Sequence, residues 1–166
     1  MGRQLWVLRH AEAEPHGTRS DSERRLTERG RAQATAAGRA LARLDVEFEA
    51  VVFSPKSRAR ETAELVAEQW PEHDRDLLRC HEPLASGFGA GDALELARGL
   101  SADARLLLIG HEPDLSSVLA DLTGGRVDLK KGGLAAVRLE GVGGELAVLM
   151  RPRELALIAG VPADGH

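Results

Sequence analysis

Leu5-Trp6-Val7-Leu8-Arg9-His10 is the stretch whose reading decides the fold. Four apolar residues in succession, without polar alternation, suit a strand buried on both faces of a sheet. The abrupt change to Arg9-His10 marks the end of that strand. Two later runs repeat the pattern: residues 48–53 stop at Ser54-Pro55, and residues 105–109 stop at Gly110-His111. Helical spacing fills the intervals. Thr27 offers an N-cap to a helix over 28–44 with Ala32, Ala36, Ala37, Ala40, Leu41 and Leu44 at helical spacing. Ser54 as cap and Pro55 at the first helical position predict a second helix reaching Trp70. A short strand over 77–80, a glycine-containing loop over 86–91 and helices over 92–100 and 113–122 continue the alternation. Residues 134–139 and 145–150, joined by Gly141-Val142-Gly143-Gly144, read as a closing hairpin. The whole predicts an α/β fold, a three-layer α/β/α sandwich with helices on both faces of a mostly parallel sheet. With no internal repeat and no linker, residues 1–166 are expected to form one domain.

Composition narrows the function. Hydrophobic residues at 43% and charged residues at 29% describe a globular chain, and aromatics at 3% leave the core to Leu, Val, Ile and Ala. A formal charge of −4 lacks the basic footprint of a nucleic-acid or anionic-membrane binder, so neither is an expected partner. Any anion must instead be met by a local cluster of Arg and His. The single cysteine, Cys80, can form no intrachain disulfide and no cysteine-built zinc site. The apolar run at the start is too short for a secretory signal core, and no run approaches the roughly 20 residues of a membrane span. A cytoplasmic protein is expected, and a monomer is the economical expectation for so small a chain.

Three strand ends carry chemistry: Arg9-His10, Ser54-Pro55 with Arg58 one turn on, and Gly110-His111. In open α/β sheets ligands bind beyond the carboxyl ends of the strands. If these strands are neighbours, two guanidiniums and two imidazoles converge on one pocket. Such donors match the equatorial oxygens of a phosphoryl group, and the helix N-termini following Ser54 and His111 are expected to add backbone N–H groups.

These residues resemble a known family. Val-Leu-Arg-His-Ala-Glu-Ala-Glu at 7–14 is similar to the signature of the histidine phosphatase superfamily, which includes the cofactor-dependent phosphoglycerate mutases. The segments 25–30 (RLTERG), 54–62 (SPKSRARET) and 108–113 (LIGHEP) match the family's other blocks in order. The short chain and the R-H-A-E-A-E form most resemble the SixA-like phosphohistidine phosphatases. The resemblance implies a phosphoglycerate mutase-like fold in which His10 is the nucleophile that becomes phosphohistidine. Arg9, Arg58 and His111 would bind the phosphoryl oxygens, water would hydrolyse the phosphoenzyme, and no cofactor, metal or nucleotide would be required. A nucleophilic imidazole must be neutral, so its other ring nitrogen should donate to a fixed acceptor such as a backbone carbonyl.

Larger family members carry a carboxylic acid that protonates an alkoxide leaving group. Here Glu82 is the sole carboxylate between Asp76 and Asp92 and therefore the candidate acid. A leaving imidazole departs more easily, so the short segment favours a phosphorylated protein carrying phosphohistidine over a sugar phosphate or nucleotide. A small-molecule phosphomonoesterase of the same superfamily and a non-catalytic phosphate-binding module are the alternatives. Ala11 stands where much of the family has glycine, and both are small enough for the backbone to pass close to phosphate.

Other features read more plainly. A His after a buried strand is, taken alone, more often structural than catalytic; four blocks in order reverse that weighting for His10 and His111. Arg58 is preferred to Arg60 because it falls nearer the strand end. His16, His73, His81 and His166 show no metal-ligand spacing. Gly87, Gly89 and Gly91 are out of nucleotide-loop register, and Ser116-Ser117 lacks a nucleophile elbow. Lys130 and Lys131 are read as a solvated turn with an acidic partner as the second reading, and Asp21 and Glu12 lie in the loop after His10.

Overall fold

The structure, a computed structural model, describes residues 2–162. In chain order it contains β1 (Gln4–Arg9), α1 (Glu28–Arg43), β2 (Ala50–Phe53), α2 (Ser57–Ala67), β3 (Leu78–Cys80), α3 (Ala90–Arg98), β4 (Arg105–Gly110), α4 (Asp114–Thr123), β5 (Leu134–Glu140), β6 (Gly143–Met150) and α5 (Pro152–Ala159). One six-stranded sheet has the order β3-β2-β4-β1-β5-β6. The first four of these are parallel and the terminal hairpin is antiparallel. The α/β sandwich expected from the alternating pattern is thus the fold observed.

Side-chain alternation along the strands divides the core in two. Leu5, Val7, Val52, Leu106 and Leu108 pack on one face against α3 and α4, through Leu94, Ala97, Leu115, Val118 and Leu119. Trp6, Leu8, Val51, Phe53, Leu107 and Ile109 pack on the other against α1, α2 and α5, through Ala40, Leu41, Ala63, Val66 and Leu155. Strands buried on both faces have no room for polar alternation, which is why they read as unbroken apolar runs. Among the described residues no helix is long and apolar enough to cross a membrane.

Local signals explain most boundaries. The Thr27 side chain accepts from Gly30 N at 3.0 Å and starts α1 where expected. α2 corrects the expectation for Ser54: the helix begins at Ser57, after Lys56, and ends at Ala67 rather than Trp70. Ser54 N still donates to Ile109 O at 3.0 Å, prolonging the sheet by a residue, and its hydroxyl accepts from Lys56 N at 3.3 Å within the turn. Helix α5 was not anticipated, although Pro152 at its first position and Gly160 at φ 75° after its end mark both termini. The hairpin turns at Gly141 and Val142, and Gly143 and Gly144 already belong to β6.

Close packing between α1 and α2 depends on Gly38. A Cβ there would lie 2.4 Å from the Val66 carbonyl oxygen, which belongs to helix backbone and cannot rotate away. In an exposed helix, glycine to alanine is worth about 1 kcal/mol of stabilisation. Gly38→Ala is expected to reverse that sign and lower the unfolding free energy by about 1–3 kcal/mol, read from the urea midpoint.

Candidate active site

Register sets the site. Arg9 pairs with Gly110 across β1 and β4, so His10 and His111 leave adjacent strand ends together. The alternation that turns Leu8 and Ile109 toward α1 and α2 carries both imidazoles to that side. Their ring centroids are 5.2 Å apart with planes inclined at 53°. Both side chains are buried, as is Arg58 from the first turn of α2.

Each group is held by backbone or by a short polar contact. His10 Nδ1 lies 2.7 Å from the Ala11 carbonyl oxygen. A carbonyl only accepts, so Nδ1 carries the ring proton and Nε2 presents its lone pair. The Thr62 hydroxyl accepts from Ala11 N at 3.1 Å and donates to Arg58 O at 2.7 Å, tying the residue after His10 to the helix that carries Arg58. His111 Nε2 is 2.7 Å from the Ser54 hydroxyl. A hydroxyl both donates and accepts, so Ser54 holds this ring in place whichever nitrogen bears its proton, while accepting from Lys56 N. Arg9, half-buried, donates through Nη1 to Leu129 O at 3.0 Å.

The electrostatics favour neutral imidazoles. Burial pushes the His10 pKa well below its ordinary value; His111, Arg58 and Arg9 push the same way, against the opposing bond to Ala11. Burial, followed by Arg58 and Lys56, brings His111 down to about 3. The Asp21 carboxylate gathers Lys56, Arg58 and Arg24. Its Oδ2 meets Lys56 Nζ at 3.0 Å and Arg58 Nη2 at 3.3 Å, its Oδ1 meets Arg24 Nη2 at 2.9 Å, and its backbone carbonyl accepts from Arg58 Nη1 at 2.7 Å. Hydrogen bonds from Lys56 and Arg24, with the charge of Arg58 behind them, keep that carboxyl far below the usual range.

Among the described residues, three buried side-chain polar atoms have no hydrogen-bond partner: Arg9 Nε, Arg58 Nε and His111 Nδ1. Buried polar atoms are nearly always satisfied, and two of these three orphans are guanidinium donors, so they mark a place built for an acceptor-rich group. A phosphoryl group, with charge spread over its oxygens, is such a group.

The strand ends therefore bring together His10, Arg9, Arg58 and His111. Glu82 is exposed at the start of the turn after β3 and makes no hydrogen bond or ion pair with the cluster. At the N-terminus of α4 one of the expected backbone donors is already used. Glu112 caps it, taking Ser116 N at 2.8 Å together with the Ser116 hydroxyl. Arg60 is exposed, 5.2 Å over the Phe53 ring. His16 and His73 are exposed beside Asp21 and Asp74, and His166 lies outside the described residues. Ser54, Thr62 and Asp21 enter the network in roles that no spacing announced. Thr62, one helical turn beyond Arg58, was the most accessible of these. Asp21 reaches Arg58 across 37 positions of chain, which no local pattern reveals.

The model of the histidine phosphatase superfamily (branch 1) matches residues 5–79. An uncharacterized protein of Picosynechococcus sp. is 31% identical over 140 residues, covering 81% of this chain and 84% of that protein. The mitochondrial serine/threonine-protein phosphatase PGAM5 of Xenopus laevis is 34% identical over 85 residues, 49% of this chain but 30% of that protein. The structure of the protein histidine phosphatase SixA complexed with tungstate superposes with a TM-score of 0.80 at 26% identity, covering 92% of this chain and 99% of that one. Strand order, the paired histidines and these likenesses agree: the chain belongs to the histidine phosphatase superfamily, as a SixA-like phosphatase.

Proposed function

We propose that the protein hydrolyses phosphohistidine on a phosphorylated protein, with His10 as nucleophile and Arg9, Arg58 and His111 as the phosphoryl-binding groups. The observation that carries this reading is the orphaned trio Arg9 Nε, Arg58 Nε and His111 Nδ1 beside an imidazole whose Nε2 bears the lone pair. His10 Nε2 attacks phosphorus, and the bond from phosphorus to the substrate imidazole breaks. The electron pair goes to that imidazole, which takes up a proton from solvent water. Water then attacks phosphorus, the bond to Nε2 breaks, and phosphate leaves with His10 restored. The cationic groups stabilise charge on the phosphoryl oxygens in both steps, a task of positioning more than of covalent chemistry.

The carboxylates support the choice of leaving group. Asp21 is held ionised by Lys56, Arg24 and Arg58, and a carboxylate so committed is a poor proton donor at neutral pH. Glu112 is engaged at the start of α4, and Glu82 is exposed and unanchored. A substrate whose leaving group needs little acid assistance suits this surrounding better than an alkyl phosphate. SixA, one structural relative at 26% identity, is a protein histidine phosphatase.

Rapid quenching with a phosphohistidine protein should trap an acid-labile phosphoenzyme, absent in His10→Ala. Arg58→Ala is expected to lower kcat by roughly 100- to 1,000-fold, with little recovery in Arg58→Lys because lysine lacks the forked guanidinium. Glu82→Gln should leave the rate within about twofold. Brisk hydrolysis of a sugar phosphate with none of phosphohistidine would overturn the substrate assignment, and a strict need for Glu82 would argue for an ester.

Keeping both imidazoles neutral also shapes stability. Their folded pKa values lie below the unfolded value near 6.5, so the unfolded chain binds more protons in acid. Stability is therefore full above pH 6.5 and is lost as pH falls toward 3. At pH 5 the expected loss from His111 is about 2 kcal/mol relative to pH 7, and His10 adds a loss of the same sign. Urea titrations should show this slope, flattened in the His10→Ala/His111→Ala double variant.

A further inference from the structure

A cavity of about 540 Å³ opens beside the phosphoryl site, lined by the cations Arg9, Arg29, Lys130, Lys131, Arg151 and Arg153. The chain as a whole carries a formal charge of −4, so this concentration runs against its average. Glu12 is the one carboxylate in the lining. Four segments supply the cations: the end of β1 with Arg9, the starts of α1 and α5, whose N-terminal dipole ends are themselves positive, and the loop before β5. That loop is tied to the nucleophile's own backbone. Gly132 N donates to Arg9 O at 3.1 Å and His10 O at 3.0 Å, and Arg9 N donates to Gly133 O at 3.0 Å.

Part of this charge is answered locally. Arg29 lies 3.8 Å from Glu12, Lys130 2.6 Å from Asp128 and Arg151 3.0 Å from Glu154. Lys131 and Arg153 make no ion pair among the described residues, and Arg9 Nε is buried without a partner. Only Arg9 is drawn into the wall; the other five cations are exposed on the rim. A rim of long, mobile cations suits carboxylates spread over a protein surface better than one small anion enclosed on all sides. Sharing Arg9 with the phosphoryl site places such a surface directly beside the group to be removed.

We propose that this cavity docks an acidic, Asp- and Glu-bearing segment of the phosphoprotein substrate, beside its phosphohistidine. The proposal rests on the assignment of His10 as nucleophile toward phosphohistidine. Lys131 and Arg153 act in docking, and Arg9 joins docking to catalysis.

The test compares a phosphohistidine protein that has an acidic surface near its phosphorylated residue with a small phosphoramidate, on the parent enzyme and on the Lys131→Glu/Arg153→Glu double variant. The double variant should raise KM for the phosphoprotein about tenfold or more, with kcat within about twofold. Its parameters for the phosphoramidate should be unchanged, which also shows that it folds. Rising salt should raise KM for the phosphoprotein alone. An unchanged phosphoprotein KM, or an equal loss on both substrates, would overturn the docking site while leaving the His10 assignment intact. Potent inhibition of the phosphoramidate reaction by inorganic tripolyphosphate, relieved in the double variant, would make the cavity a small-polyanion site and also overturn it. Failure of the parent enzyme on every phosphohistidine protein, with the phosphoramidate also untouched, would overturn both readings.

Discussion

Two guanidiniums can share a buried pocket with two imidazoles only if the imidazoles stay uncharged. Burial and the neighbouring cations impose that condition on His10 and His111, against the Ala11 bond that raises the His10 pKa. The Ala11 carbonyl fixes the proton of one ring, the Ser54 hydroxyl occupies a nitrogen of the other, and burial makes a second proton unfavourable on either. Fold and chemistry meet in the pairing of Arg9 with Gly110. Displacing that register by one residue would turn one imidazole to the opposite face of the sheet and separate the pair.

The parts legible in the sequence were those governed by short-range rules. Buried strands announce themselves as unbroken apolar runs, and strand ends that switch at once to Arg-His or Gly-His point to the edge where ligands bind. Thr27 marked its helix because capping is a local bond. The family resemblance then supplied the likeness in order and spacing that no single residue could. Ser54 shows where such reading stops. Its local chemistry suits a cap, but the sheet claims its N–H and His111 its hydroxyl, and both partners are more than fifty residues away.

Asp21 and the six-cation cavity lay further out of reach for the same reason. Each is assembled from segments distant in sequence: Asp21 with Lys56 and Arg58, and the starts of α1 and α5 with the loop before β5. A weakly acidic composition predicts no strong basic surface, and averages conceal where charge is gathered. Helix α5 is a different kind of omission, because its proline and glycine were visible and only its shortness hid it.

The contact between Asp21 and Arg58 bears on traffic through the site. Asp21 takes both terminal nitrogens of Arg58 and leaves Nε without a partner, so a phosphoryl group bound there as proposed would meet a guanidinium whose charge is already partly answered. Its net affinity would be lower than that for an unpaired guanidinium, for substrate and for inorganic phosphate alike. A tethered counter-ion of this kind moderates the grip of a strongly cationic pocket on its own product, without weakening the groups that act in the transition state.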